Sequence, residues 1–291
     1  MAFSNVTVDA PTSTIVVCGA GTMGSGIALL CAQAGFHTVL FDSMPEQLHK
    51  GFARIRQHLD ALIEKDKISG VQASQSLQRI VCADSVSACK GDLVIEAIIE
   101  DLDIKKELLS RLSSLNDTQT VIASNTSSLS IKALSAAVSS PERFIGLHFF
   151  NPPAVMKLVE VVKLGITADA VLHRVLSFVS SLGKLPVVCN DAPGFIVNRV
   201  ARPFYLESLH LMEKYGLSPN EMDLLVEAAG FKMGPCRLMD LIGNDINFTV
   251  SKSIFEQLGS PVRFTPSSLQ YQMVQEGKLG KKTRKGFYVY E

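Results

Sequence analysis

Residues 14–42 read TIVVCGAGTMGSGIALLCAQAGFHTVLFD, and their pattern decides the fold. Residues 14–18 form a short apolar run, rich in β-branched side chains, that runs into glycine, as a buried strand does. Gly19-Ala20-Gly21-Thr22-Met23-Gly24 follows, and a helical run from Thr22 to Ala34 stops at Gly35. Phe36 to Phe41 make a second strand, and Asp42 ends it 18 residues past Gly24. A GxGxxG alone is a weak signal, because Gly and Ala are common. Set between a strand and a helix, with an acid closing the next strand, it is the fingerprint of a dinucleotide site. Gly19 permits the tight turn, Gly21 lets the backbone approach a pyrophosphate, and Gly24 lets the helix pack close to the sheet. The helix N-terminus, at Thr22 and Met23, offers N–H groups and positive dipole to the phosphates. Asp42 suits a ribose 2′-hydroxyl and repels a 2′-phosphate, and Ser43 and Met44 beside it bring no arginine. The expected cofactor is therefore NAD rather than NADP. The bland alternative is a glycine turn without a ligand and a solvated strand-end acid.

Outward from this unit, strands and helices alternate. Pro45 opens a long helix to about Lys65, and residues 66–79 read as a polar helical hairpin. Strands fall near 80–82, 92–96 and 119–123, with helices at about 101–115 and 128–138. Such alternation predicts an α/β fold, a Rossmann-type doubly wound, mostly parallel sheet. Strands at 143–149 and 157–162 extend it, and a helix at 169–182 and a strand at 185–189 close it. The character changes at Asn190-Asp191-Ala192-Pro193-Gly194. Helices then dominate, at about 194–215, 219–229, 235–257 and 266–276. Ser218-Pro219-Asn220-Glu221 is a strong helix start. Two domains are expected: residues 1–190 binding NAD, and residues 191–291, all helical. The broad apolar faces of the second, with Leu206, Leu209 and Met212, together with its small size, suggest a homodimer built there.

Composition narrows the function classes. The chain carries 28 basic and 28 acidic side chains, so nothing suggests a nucleic-acid-binding face. No apolar run reaches the ~18 residues that span a bilayer. The start, MAFSNVTVDAPTST, has neither a basic n-region nor an apolar core, lacks arginine and contains Asp9. It is expected to be neither signal peptide nor mitochondrial presequence, which points to the cytoplasm. Cysteines 18, 31, 82, 89, 189 and 236 lack metal-ligand spacing and read as reduced residues. No metal is expected.

Chemistry concentrates in RFIGLHFFNPPAVMKLVEVVK, residues 143–163. His148 ends an apolar run, Asn151-Pro152-Pro153 breaks the chain, and Glu160 sits inside Leu-Val-x-Val-Val. A lone carboxylate in such a strand needs a partner, and the break lets the two strands lie side by side. A His–Glu pair is a general base with its orienting acid. On these residues alone, a satisfied core histidine and an edge-strand charge read equally well. Two further segments fall at strand ends: Glu96-Ala97-Ile98-Ile99-Glu100, with Lys105 on the helix behind, and Ala123-Ser124-Asn125-Thr126-Ser127-Ser128. The hydroxyls of the latter suit an alcohol substrate or simply cap the next helix, with Ser127 or Ser128 as the cap. Asn198 follows Pro193-Gly194 early in the first helix of the second half, where it reads as a polar helix residue or as part of a cleft.

With these pieces in place, the chain resembles the L-3-hydroxyacyl-CoA dehydrogenase family, nearest its short bacterial 3-hydroxybutyryl-CoA dehydrogenase type. The likeness runs nearly end to end, through GAGTMGSGIA, EAIIED, ASNTSSLSI, GLHFFNPPAVMKLVEVV, DAPGFIVNR, GPCRLMDLIGNDINF and GKKTRKGFYVY. The visible departures are an N-terminal extension of about a dozen residues and Pro153, where valine is also usual. The resemblance implies NAD-linked interconversion of an L-3-hydroxyacyl-CoA and a 3-oxoacyl-CoA, with a short acyl chain. It implies that His148 is the catalytic base and Glu160 its partner, and that Ser127 and Asn198 hold the reacting oxygen. It places Glu100 and Lys105, with Ser127, beside the cofactor, and a dimer interface in the helical substrate-binding domain. Lys65 and Lys67 are candidates for the CoA phosphates. A sugar-acid dehydrogenase resembling lambda-crystallin and a non-catalytic NAD-binding structural protein are the alternatives. The GFIVNR and GKKTRKGFYVY ends favour the acyl-CoA branch, and the four intact site residues favour catalysis.

Overall fold

A computed structural model describes residues 13–291. The reading of the first dozen residues lies outside them. The chain divides into two compact units, the first ending at Asp191 and the second spanning Ala192–Glu291.

The first unit is an eight-stranded sheet. Its strands are β1 (Thr14–Cys18), β2 (His37–Phe41), β3 (Ile80–Ala83), β4 (Leu93–Glu96), β5 (Val121–Ser124), β6 (Phe144–Phe149), β7 (Leu158–Lys163) and β8 (Leu185–Asn190). The spatial order is β3-β2-β1-β4-β5-β6-β7-β8. The first six strands in that row are parallel, β7 is antiparallel to β6, and β8 runs parallel with β7. The helices are α1 (Thr22–Gln33), α2 (Pro45–Glu64), α3 (Gly70–Gln78), α4 (Leu102–Leu115), α5 (Ile131–Ser135) and α6 (Asp169–Ser181). One face of the sheet, with Ile15, Val17, Leu40, Ile95 and Val161, packs on α1, α2 and α6. Helices α4 and α5 lie against β4, β5 and β6. This is the doubly wound arrangement expected from the alternation.

Three local readings are corrected. Residues 66–79 form a turn and the single helix α3, because Ser69 and Gln72 make a reciprocal capping box. The helix expected over 128–138 shrinks to α5, and neither Ser127 nor Ser128 is its cap. Ser130 accepts from Ala133 N at 3.2 Å, while Asp191 accepts from Ile131 N, Lys132 N and the Ser130 hydroxyl at 2.8–3.0 Å. A carboxylate about 60 residues downstream thus satisfies amides at the start of α5, which local sequence cannot reveal.

The second unit comprises α7 (Val197–Tyr215), α8 (Pro219–Ala228), α9 (Pro235–Ile242), α10 (Asn244–Gln257) and α11 (Ser268–Gln275). Helix α7 begins later than expected because Gly194 and Phe195 have φ of 74° and 49°, outside helical space. The helix expected over 235–257 is two, broken where Gly243 takes φ 107°. Leu206, Leu209 and Met212 do not form an outer face: all three are buried, and Leu209 and Met212 pack with Tyr205, Met222, Cys236 and Met239 in this unit's own core. A different apolar set is exposed, including Leu224, Leu225, Phe231 and Leu241.

Two buried carboxylates organise this unit. Asp240 accepts from Phe287 N, Tyr288 N, the Tyr290 hydroxyl and the Asn244 amide at 2.8–3.0 Å. Asp223 accepts from Cys236 N, Arg237 N and the Tyr288 hydroxyl at 2.7–3.1 Å. Loss of these acceptors leaves buried donors unmatched. Asp240→Ala should therefore cost on the order of 3 kcal/mol of stability, read by urea unfolding. A change within about 0.5 kcal/mol, the scatter of ordinary surface substitutions, would show that the strap at 287–290 is not held by this carboxylate.

Candidate active site

Backbone geometry at the β1–α1 turn meets the needs of a dinucleotide. Gly19 has φ 106°, and an added Cβ would lie 2.4 Å from the Ala97 carbonyl oxygen. At Gly24 it would lie 1.7 Å from the Gly19 carbonyl oxygen, so only glycine lets α1 approach β1. Gly21 differs: nothing lies within 4 Å of where its Cβ would point, which leaves room for a ligand against the backbone. No side chain caps α1, so its first amides keep their donors for a phosphate. Thr22 is exposed there, while the Met23 side chain packs into the core and offers its amide alone. Asp42 is fixed by Ala20 N at 2.8 Å and Met44 N at 2.9 Å, one to each oxygen. Each oxygen retains capacity for a ribose hydroxyl.

The ends of β4 and β5 carry a chain of charge that runs from the buried Glu96 and Lys105 to the partly exposed Glu100. Glu96 is fully buried and accepts from Lys105 Nζ at 2.6 Å, Ser124 Oγ at 2.5 Å and Ile98 N at 2.8 Å. Lys105 also lies 3.4 Å from Glu100. One oxygen of Glu100 gathers the next loop: Thr126 Oγ1 at 2.7 Å, Ser127 N at 2.8 Å, Ser128 N at 3.0 Å and both serine hydroxyls at 3.2 Å. Burial on its own would raise the Glu100 carboxyl, but Lys105, the Thr126 hydroxyl and the two serine amides outweigh it and hold it below its ordinary value. Lys105 is 1% exposed, with its ammonium turned to the two glutamates.

Beside this loop, the antiparallel register sets His148 directly opposite Glu160. Residues so paired share a face of the sheet. His148 Nδ1 lies 2.7 Å from Glu160 Oε2, Glu160 is fully buried, and the Phe150 ring packs against the imidazole at 4.4 Å, tilted by 48°. With Nδ1 engaged by the carboxylate, Nε2 is the nitrogen that can exchange a proton with a substrate. Asn125 Oδ1 accepts from Phe149 N at 2.8 Å and so ties the end of β5 to the end of β6. Among the expected site residues, Glu100, Ser127, His148 and Glu160 thus lie in one unit with the glycine turn.

In the second unit Asn198 is the second residue of α7. Arg202, one turn on, is 3% exposed and donates from Nε to the Asn198 carbonyl at 3.0 Å. Its Nη1 donates to the Asn247 carbonyl at 3.1 Å and the Ser251 hydroxyl at 2.9 Å, and the Tyr205 ring covers it at 4.7 Å. Burial lowers Arg202 to about 10, which leaves it charged at neutral pH. The sequence reading named Asn125 and Thr126 only as members of a polar strand end and passed over Arg202. The last had a signal: it stands three, four and seven residues before Tyr205, Leu206 and Leu209, on the apolar stripe of α7.

A groove of about 410 Å³ runs between α1 and α2, lined by Ser25, Leu29, Arg54 and His58, and is closed by Asn151–Ala154. Lys184 Nζ holds that closing loop through the Pro153 and Met156 carbonyls at 2.6 and 2.9 Å. Lys65 and Lys67 are exposed just beyond the end of α2. Among the described residues no cluster of three or more His, Cys, Asp or Glu could hold a metal, and no helix is long and apolar enough to cross a membrane.

Comparison with known proteins agrees with this geometry. The family model for the NAD binding domain of 3-hydroxyacyl-CoA dehydrogenase matches residues 14–192, and that for its C-terminal domain matches 194–290. The chain is 43% identical to the 3-hydroxyadipyl-CoA dehydrogenase of Escherichia coli (strain K12), over 94% of this chain and 58% of that protein. It thus spans less than two thirds of that relative's length. It is 36% identical to a probable 3-hydroxybutyryl-CoA dehydrogenase of Bacillus subtilis (strain 168), over 95% and 97% of the two chains. A crystal structure of (S)-3-hydroxybutyryl-CoA dehydrogenase from Ralstonia eutropha superposes with a TM-score of 0.91 at 37% identity, covering 96% and 99%. The glycine turn and Asp42 accordingly belong to an NAD-binding domain, and the chain is a member of the 3-hydroxyacyl-CoA dehydrogenase family.

Proposed function

We propose that this chain interconverts an L-3-hydroxyacyl-CoA and a 3-oxoacyl-CoA, with a short acyl chain, using NAD. The observation that carries this reading is the buried 2.7 Å contact between His148 and Glu160 in the sheet that holds the dinucleotide turn. Oxidation of a secondary alcohol removes a proton from oxygen and a hydride from carbon. NAD, when bound, supplies the hydride acceptor. His148 takes the proton through Nε2, and in reduction it returns the proton to the same oxygen. Glu160 fixes the tautomer with Nδ1 protonated and steadies the imidazolium that forms. Ser127, held by Glu100, and Asn198 orient the reacting oxygen. The two kinds of relative compared above are named for hydroxybutyryl and hydroxyadipyl esters, which supports a short acyl group.

The groove along α2 suits the CoA moiety. It borders the Asn151–Ala154 loop that follows His148, and it offers Arg54 and His58. Lys65 lies seven residues beyond His58, two helical turns along the same face of the chain's path. The exposed apolar residues of the second unit, from Leu224 to Leu241, support a homodimer in place of the buried set first considered. The six free thiols suit a reducing compartment such as the cytoplasm.

Three measurements bear on this reading. His148→Ala should lower kcat by about 10²–10⁴ with the fold retained, and Glu160→Gln should also lower it. Both serve one proton transfer, so the double variant should fall well short of the summed losses, and full additivity would separate the two residues. Asp42→Ala should weaken NADH binding by about tenfold to a hundredfold, since a charged acceptor is lost. Wild-type preference for NADPH over NADH would reverse the role given to Asp42. Light scattering should give twice the 31.5 kDa chain mass at micromolar concentration, and a stable monomer would remove the dimer.

A further inference from the structure

Lys184 is a cation whose partners are all backbone carbonyls. Its Nζ donates to Pro153 O at 2.6 Å, Met156 O at 2.9 Å and Ala154 O at 3.4 Å, and no carboxylate among the described residues pairs with it. The three oxygens belong to one turn. Val155 N and Met156 N both donate to Pro152 O at 3.0 Å, so the chain makes a single helical turn after Pro152. Among the described residues no backbone amide meets the carbonyls of Pro153, Ala154 and Met156. Such trailing carbonyls need a donor, and a cation is well placed at that end of a turn. The sheet brings the lysine there. Leu185 N donates to Lys157 O at 2.8 Å and Leu158 pairs with Leu185, so Lys184 stands beside the end of the turn. The turn also rests on α1: a Cβ added to Gly26 would lie 3.0 Å from Pro153 Cγ.

Asn151 to Ala154 wall the groove of about 410 Å³ between α1 and α2, and no acidic side chain lines it. Lys184 does not line the groove itself, so it reaches a ligand there only through the turn. His148 has other supports. Its strand is paired with β7, and Asn125 Oδ1 accepts from Phe149 N at 2.8 Å. The wall of the groove and the proton-transfer pair are thus held by separate bonds. Without the ammonium, three carbonyls beside the groove lose their donor, and the turn keeps only its two amide bonds to Pro152 O. We propose that Lys184 is the positioning residue of this groove: its ammonium seats the 153–156 turn on α1 and so sets the wall against which the CoA moiety binds. It governs affinity for the carrier and leaves the chemical step to His148 and Glu160. This rests on the placing of CoA in that groove and adds the residue that shapes it.

The test compares NADH-dependent reduction of acetoacetyl-CoA and of S-acetoacetyl-N-acetylcysteamine, which share the acyl group and thioester but differ in the rest of the carrier. Lys184→Met should raise KM for acetoacetyl-CoA by about tenfold, with kcat and the KM for NADH within about twofold of wild type. The kcat/KM of the truncated ester should change by no more than about twofold, since it never reaches the groove. Lys184→Arg, which keeps the charge but not the compact ammonium, should recover part of the lost affinity. An unchanged KM for acetoacetyl-CoA overturns the proposal. So does an equal loss on both esters, which is what a merely structural lysine would give. If Lys184→Met does not fold, Lys184→Gln, which keeps an amide donor, takes its place. Failure of both to fold makes the lysine structural and ends the proposal. Wild-type protein with the same kcat/KM for both esters contradicts the CoA groove itself, and reduction of neither ester contradicts the dehydrogenase reading.

Discussion

A carboxylate with no exposed surface, in the middle of an apolar strand, is the constraint on which the site depends. Glu160 cannot remain charged there without a donor, and the antiparallel pairing of β6 with β7 supplies His148 at the directly opposing position. The chain reversal at Asn151–Pro153 is what makes that pairing possible. In a wholly parallel sheet, residues twelve apart could not face each other across adjacent strands without a crossover. The one reversed junction in the sheet is therefore the one that builds the proton-transfer pair.

A second layer of charge supports the loop next to it. Buried Glu96 and Lys105 and the more exposed Glu100 form a run in which each ion has a partner, and the last carboxylate gathers the amides and hydroxyls of 126–128. Such an arrangement is costly to assemble and costly to break, so its value lies in fixing geometry more than in adding stability. It gives Ser127 a defined place without any secondary structure at that point.

Much of this was legible in the sequence, for identifiable reasons. The glycine turn needs three residues without side chains at fixed spacing, and Asp42 follows from the βαβ geometry. The His148–Glu160 pair was visible because an acid in a β-branched run is conspicuous. What escaped depends on contacts far apart in the chain. The cap of α5 comes from Asp191, so Ser127 and Ser128 were credited with a role that belongs elsewhere. The sequence set Lys105 on the helix behind Glu100, but nothing local says that Glu96, nine residues earlier, also claims its ammonium. Leu206, Leu209 and Met212 looked like an interface because an apolar helical stripe reads the same whether its own unit or a partner covers it.

The two aspartates of the helical unit have a consequence for the timing of folding. Asp223 lies on α8 and Asp240 on α9, but several of their donors are backbone amides and phenols between Phe287 and Tyr290. During synthesis, at roughly 5–20 residues per second, both carboxylates emerge seconds before those donors do. Until Tyr290 clears the ribosome, closing this core would bury negative charge against missing partners. The helices must wait hydrated, so the second unit reaches its native packing late, whereas the sheet unit can complete its own pairing earlier.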